Sequence, residues 1–115
     1  VDMQPYIETA RRRQQQQREK LRQRRLHGLR VAQEAATLLR EAFGVSHVVV
    51  FGSVLDETAF HGQSDLDLAV WNLDPEHYFA AVAQLLALSE FSIDLVPVEL
   101  ASPPIRAAIA QGTLL

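Results

Sequence analysis

Hydrophobic and polar positions divide this chain into stretches of unlike character. From Arg11 to Arg25 the residues are Arg, Gln, Glu and Lys, with Leu21 the one apolar side chain. These are strong helix formers, so the stretch predicts a helix, although one with no apolar stripe to bury. From Leu26 the pattern changes: Leu26, Leu29, Ala32, Ala35, Ala36, Leu39 and Ala42 recur at three- and four-residue spacing, the mark of an amphipathic helix. Gly44 is placed to cap it. One long helix is therefore expected from about Pro5 to Phe43, solvated in its first half and packed in its second. His47 to Phe51 is a short apolar run stopped by Gly52 and reads as a buried strand. Residues 53–64 predict a short helix or turn, and Asp65 to Trp71 a second strand. Asp74-Pro75-Glu76 is a helix start, with a capping Asp, Pro at the first helical position and an acid in the first turn. That helix should run to about Leu88. Phe91 to Val98 makes a third strand, with Pro97 marking an edge or exit, and Ser102-Pro103 opens a last helix closed by Gly112. The order α, β, (α), β, α, β, α contains no repeat and places the chain in the α/β (α+β) class.

Length and charge refine this picture. The 115 residues are expected to form one domain. With no cysteine there is neither a disulfide framework nor a thiolate metal site. No apolar run approaches the roughly 18 residues of a membrane span, and the first residues do not resemble a signal peptide, so a cytoplasmic location without membrane contact is expected. The net charge of −3 hides a partition. Residues 1–30 hold nine of the eleven basic groups against three acids, a net +6, whereas residues 31–115 hold two basic groups against eleven acids, a net −9. A basic helical arm, 1–25, on an acidic body, 26–115, is the organisation this implies. The arm has three readings: a solvated charged helix, a surface for an acidic partner or a second copy of the chain, or a nucleic-acid contact. The last is disfavoured, because the arm lacks stacking aromatics and the body repels a polyanion.

Candidate chemistry gathers in the middle of the chain. Asp65 and Asp67 are two residues apart on a predicted strand, so their side chains share a face with Cα atoms roughly 7 Å apart. Flanked by Leu66, Leu68 and Val70, two like charges there would repel at a partly buried position. A divalent cation is the natural remedy, and oxygen donors favour Mg2+, with Mn2+ as a substitute. Asp94, between Ile93 and Leu95 in the next strand, joins the acidic face if the strands are neighbours. Only Arg40 and Arg106 are available in residues 31–115 as alternative partners for these acids. Gly52-Ser53 ends the first strand, where a glycine permits close backbone approach and the amides of a following helix can receive a phosphate. Ser53-x-x-Asp56 equally fits a capping box. The four histidines have no zinc spacing; His61 lies in the loop before the acids, and Trp71 reads more readily as sheet-end packing than as a stacking platform.

Gly52-Ser53, eleven intervening residues, Asp65-Leu66-Asp67-Leu68 and a later-strand Asp94 together resemble the minimal nucleotidyltransferases of the DNA polymerase beta-like superfamily. The ending PPIRAAIAQGTLL is similar to that family's closing helix and glycine. The resemblance covers residues 26 to 115 and implies a small mixed β-sheet with helices packed on one face, preceded here by the long N-terminal helix. It implies that Asp65 and Asp67 bind two metal ions, that Asp94 completes the metal site nearest the attacking hydroxyl, and that Gly52 and Ser53 hold a nucleoside triphosphate, ATP in some members. It further implies an antitoxin that transfers AMP to a hydroxyl of a helical HEPN-domain toxin. One departure stands out: family members commonly carry an arginine just after Gly-Ser, where this chain has Val54, Leu55 and Asp56. Partner-dependent activity follows as an expectation, with a catalytically weak module that neutralises a partner by contact as the alternative. Tailing of an RNA end is disfavoured, and the N-terminal helix remains available for pairing two copies.

Overall fold

The computed structural model describes residues 2–115 and contains one four-stranded mixed sheet. A 40-residue helix α1 (Gln4–Phe43) leads through Gly44, in the left-handed conformation at φ 66°, into β1 (His47–Phe51). A single 3-10 turn (Gly52–Leu55) and a loop follow, then β2 (Leu66–Trp71), a 3-10 turn (Pro75–His77) and α2 (Tyr78–Leu88). The chain continues through β3 (Ile93–Pro97), a 3-10 turn (Val98–Leu100), α3 (Pro103–Ala110) and β4 (Thr113–Leu114). The strands lie in the order β3-β2-β1-β4, with β1 antiparallel to both β2 and β4, and β2 parallel to β3. β4 is the element that sequence pattern did not predict, because two residues carry no alternation to read.

Strand alternation sorts the side chains into two layers. Val48, Val50, Leu66, Leu68, Val70 and Leu95 meet Val31, Ala32, Ala35, Ala36 and Leu39 of α1, together with Ala81 and Leu85 of α2. The alanines on α1 let its backbone lie close to the sheet. Leu26 and Ala42, expected in the packed stripe, are exposed, and Gly28 and Val31 take the buried positions instead. The two large helices thus cover one face, as expected. On the other face Val49, Phe51 and Ala69 pack with Ile109 and Ala108 of α3 and with Val96, Val98 and Ala101, while Asp67 and Asp94 stand outside that cluster and keep access to solvent.

Gly112 fixes where α3 returns to the sheet. A Cβ there would lie 2.5 Å from Val49 Cγ1 and 2.6 Å from the Val50 carbonyl oxygen. Gly112→Ala is therefore expected to cost about 1–3 kcal/mol through overpacking against a central strand, seen as a lowered Tm with unchanged helix content.

α1 extends well past the sheet. Phe43 stacks near His77 at one end, with ring centroids 6.1 Å apart. At the other end Arg24 lies over Phe91, 4.3 Å from its ring centre, and Arg25 bonds the Gly52–Leu55 turn. The roughly 20 residues before that point add about 30 Å of helix, all of it solvent-exposed up to Lys20, and the molecule measures 67 × 30 × 19 Å.

Candidate active site

The open part of the second face carries the acids. Asp67 in β2 stands opposite Phe51 of β1 and directly beside Asp94 of β3, a spacing of about 5 Å between neighbouring strands. Asp65 immediately precedes β2 in the same alternation and so leans to the same side. Asp65 and Asp94 are exposed, whereas Asp67 is half-buried. Burial first, then the charges of Asp94 and Asp65, push the Asp67 carboxyl up from its ordinary range to about 6. No cation among the described residues offsets that shift.

The three carboxylates share a face, yet among the described residues no group of three acids or histidines closes into a single metal-holding cage. Mutual repulsion explains why like-charged side chains on one surface do not converge unaided. The donor set still fits hard divalent cations, since it is all oxygen, holds three negative charges and has no competing arginine.

Gly52 abuts this cluster. Its φ of 82° is left-handed, and a Cβ at this position would run into the Asp67 carboxylate. Glycine therefore serves here both the turn and the close approach of backbone to acid. Ser53 is half-buried in the turn. The expected capping box does not form: the turn is capped by extended Phe51 with no side-chain bond. The Asp56 carboxylate instead accepts from the amide and hydroxyl of Thr58, at 2.9 and 2.7 Å, which hold it below the ordinary carboxylate range. Because the chain turns one residue early, at Gly52, Ser53 sits inside the turn rather than before it.

The remaining candidates lie elsewhere. His61 bonds within its own loop, its ring accepting from the Gln63 amide while its backbone amide donates to buried Ser64. Trp71 packs edge-on against His47 at the far end of β2. Arg106, on α3, donates to the Ala101 carbonyl and does not contribute to the charge balance at Asp67. Sequence pattern missed Arg25, whose Nε donates to the Val54 carbonyl at 2.7 Å. The available signal was helical spacing, for Arg25 lies one turn before Gly28, Leu29 and Ala32 on the packed side of α1.

A family model described as polymerase beta, nucleotidyltransferase, matches residues 33–115, which includes every strand and all three acids. The chain belongs to the polymerase beta nucleotidyltransferase family. The resemblance drawn from Gly52-Ser53 and the aspartate pair is borne out, and so is the fold it implied. Among solved structures, a mutant of the toxin–antitoxin complex MntA-HpeT contains a chain 23% identical to this one. That match covers 72% of this chain and 70% of the other, at a TM-score of 0.60. The toxin–antitoxin MntA-HepT gives 21% identity, 73% and 68% coverage and a TM-score of 0.56. A toxin–antitoxin structure with AMP-PNP gives 25% identity, 68% and 66% coverage and a TM-score of 0.57. No curated protein matches this nucleotidyltransferase. No helix among its described residues is long and apolar enough to cross a membrane.

Proposed function

We propose that the chain transfers AMP from ATP to a hydroxyl of a partner toxin protein, with Asp65, Asp67 and Asp94 as metal ligands and Gly52 and Ser53 at the triphosphate. The observation that carries this reading is the half-buried Asp67, flanked by two more acids, uncompensated by any cation and pressed against Gly52. An apolar strand holds such a charge at a cost that only a function requiring it offsets. The solved relatives favour the acceptor class, since they are toxin–antitoxin structures and one was obtained with AMP-PNP.

In this reading the acceptor oxygen attacks the α-phosphorus, the bond to the β-phosphate oxygen breaks, and pyrophosphate leaves. Divalent ions held by the three carboxylates would stabilise the attacking and leaving oxygens of that in-line displacement. Gly52 lets the phosphates approach the turn backbone, and Ser53 offers them its hydroxyl and amide. Asp94, exposed at the edge of the cluster, faces the acceptor and takes up its proton. Asp94→Asn is therefore expected to slow transfer by about 100-fold or more while nucleotide affinity stays within about twofold.

Labelled ATP, Mg2+, the chain and the protein encoded beside it should yield a labelled partner. The signal should vanish with chelator, return with Mg2+ or Mn2+, and be absent with Asp65→Asn. A folded pair that transfers nothing from any nucleotide overturns the reading. One observation favours a second reading, neutralisation by contact alone: Gly52-Ser53 is followed by Val54, Leu55 and Asp56, so the turn itself brings no cation to a triphosphate. Full neutralisation in cells by Asp65→Asn would decide for it.

A further inference from the structure

The turn that carries Gly52 and Ser53 is short and has no side-chain cap. It is four residues long and begins in a left-handed conformation. Beyond the 3-10 turn's own bonds, the backbone adds one closing bond, from the Asp56 amide to the Ser53 carbonyl at 3.0 Å. The Val54 side chain is anchored in the core beneath α1, but a buried side chain fixes position better than it fixes the plane of a peptide.

Arg25 adds a restraint from 29 residues away. Its Nε donates to the Val54 carbonyl at 2.7 Å, while Nη1 lies 3.5 Å from Glu57 Oε1, just past the turn. The Arg25 side chain is only 18% exposed, whereas that of Glu57 is 78% exposed, so the carbonyl bond carries the weight and the ion pair little. A guanidinium holds its donors in one rigid plane and remains charged at every working pH. The helix beneath it is itself pinned, with Arg24 over Phe91 and Gly28 packed against Leu66 and Phe91. A rigid element thus grips the backbone one peptide beyond Ser53.

We propose that Arg25 is a positioning residue for the nucleotide site: it sets the peptide plane at Val54 and so aims the Ser53 hydroxyl and the neighbouring amides at the triphosphate. This rests on the nucleotidyltransferase reading. It gives the arm a role in the site although its own side chain points to a carbonyl rather than to a phosphate. Of the Arg25 donors, Nε is taken by the Val54 carbonyl and Nη1 lies against Glu57.

The test compares Arg25→Gln, Arg25→Lys and Arg24→Gln with the parent chain, using AMP-PNP with Mg2+ as the binding probe and amide hydrogen exchange as the structural one. Arg25→Gln is expected to speed exchange across residues 53–55 and weaken nucleotide binding about tenfold, the scale of one charge-assisted bond. The KM for ATP should rise in parallel while kcat at saturating ATP stays within about twofold. Arg25→Lys, which keeps a charged donor, should recover part of the affinity. Arg24→Gln, which removes only the stacking on Phe91, should lower Tm without changing KM. Unchanged exchange at 53–55 in both Arg25 variants overturns the positioning role, whatever the nucleotide does. Faster exchange with unaltered AMP-PNP affinity overturns its link to the site. A parent chain that binds no nucleotide overturns the nucleotidyltransferase reading and this proposal with it, a result recognisable because no variant is needed to see it.

Discussion

Asp67→Asn is expected to abolish nucleotidyl transfer and, in the same protein, to raise the stability of the metal-free fold. The two effects have one cause. Asp67 is the acid at the centre of the cluster, flanked by Asp94 across the sheet and Asp65 along the chain, and its carboxyl is pushed up to about 6 by burial and by those neighbours. In the unfolded chain the same group ionises in the ordinary range. Between those two values the folded state binds the extra proton, so this group's contribution is most favourable below about pH 4 and is lost as pH rises through 6. Complete loss of the shift would correspond to about 3 kcal/mol, and partial exposure of Asp67 reduces that to about 1–2 kcal/mol. An Asn of equal shape removes the charge, so Tm in chelator at pH 7.5 should rise by several degrees and lose its decline between pH 4.5 and 7. Transfer should fall on the order of 10³-fold or more, the scale of losing a metal-binding carboxylate. Mg2+ should stabilise the parent chain and leave the Asn variant unmoved. A variant no more stable than its parent in chelator would show that the acids do not repel as described.

The second large effect is expected at Gly52. Alanine in the left-handed region costs about 1–2 kcal/mol, and here its methyl would also collide with the Asp67 carboxylate. The β2 backbone is fixed by pairing with Phe51 on one side and Asp94 on the other, so relief requires the Asp67 side chain to rotate away from Gly52. Gly52→Ala should therefore destabilise by about 2–4 kcal/mol in total and weaken nucleotide binding on the order of 100-fold, since the turn must shift by about the width of a methyl. A double-mutant cycle separates the two causes. In an Asp67→Ala background the collision disappears while the backbone cost remains, so Gly52→Ala should then cost only the smaller figure. Equal cost in both backgrounds would mean that the glycine serves the turn alone.

How much of this was legible beforehand follows from the range of each interaction. β1 and β2 were readable because apolar runs and alternation are local, and the Asp65–Asp67 pair announced itself as charge inside such a run. The register that sets Asp67 beside Asp94 depends on β2 and β3 being neighbours, which the chain order permits but does not compel. The capping box at Ser53 was misread because the left-handed Gly52 turned the chain first, and a short polar motif cannot show which of two competing turns prevails. Arg25 was hidden among the basic residues of the arm, since its bond to Val54 joins positions that no window of sequence contains together. That α3 packs on the face opposite α1 and α2, through Ile109 against Val49, Phe51 and Ala69, was hidden for a similar reason.

The overhanging half of α1 gives the molecule a permanent electric dipole. Net positive charge sits along a rod that extends past the site, and net negative charge is gathered in the body behind it. Such a separation turns the molecule in the field of an approaching charged protein before any surface meets. A negatively charged acceptor would meet the rod first and arrive at the end of the sheet where Gly52, Asp67 and Asp94 lie. Orientation before contact would speed productive encounters and would fade as salt shortens the reach of the field below about 10 Å.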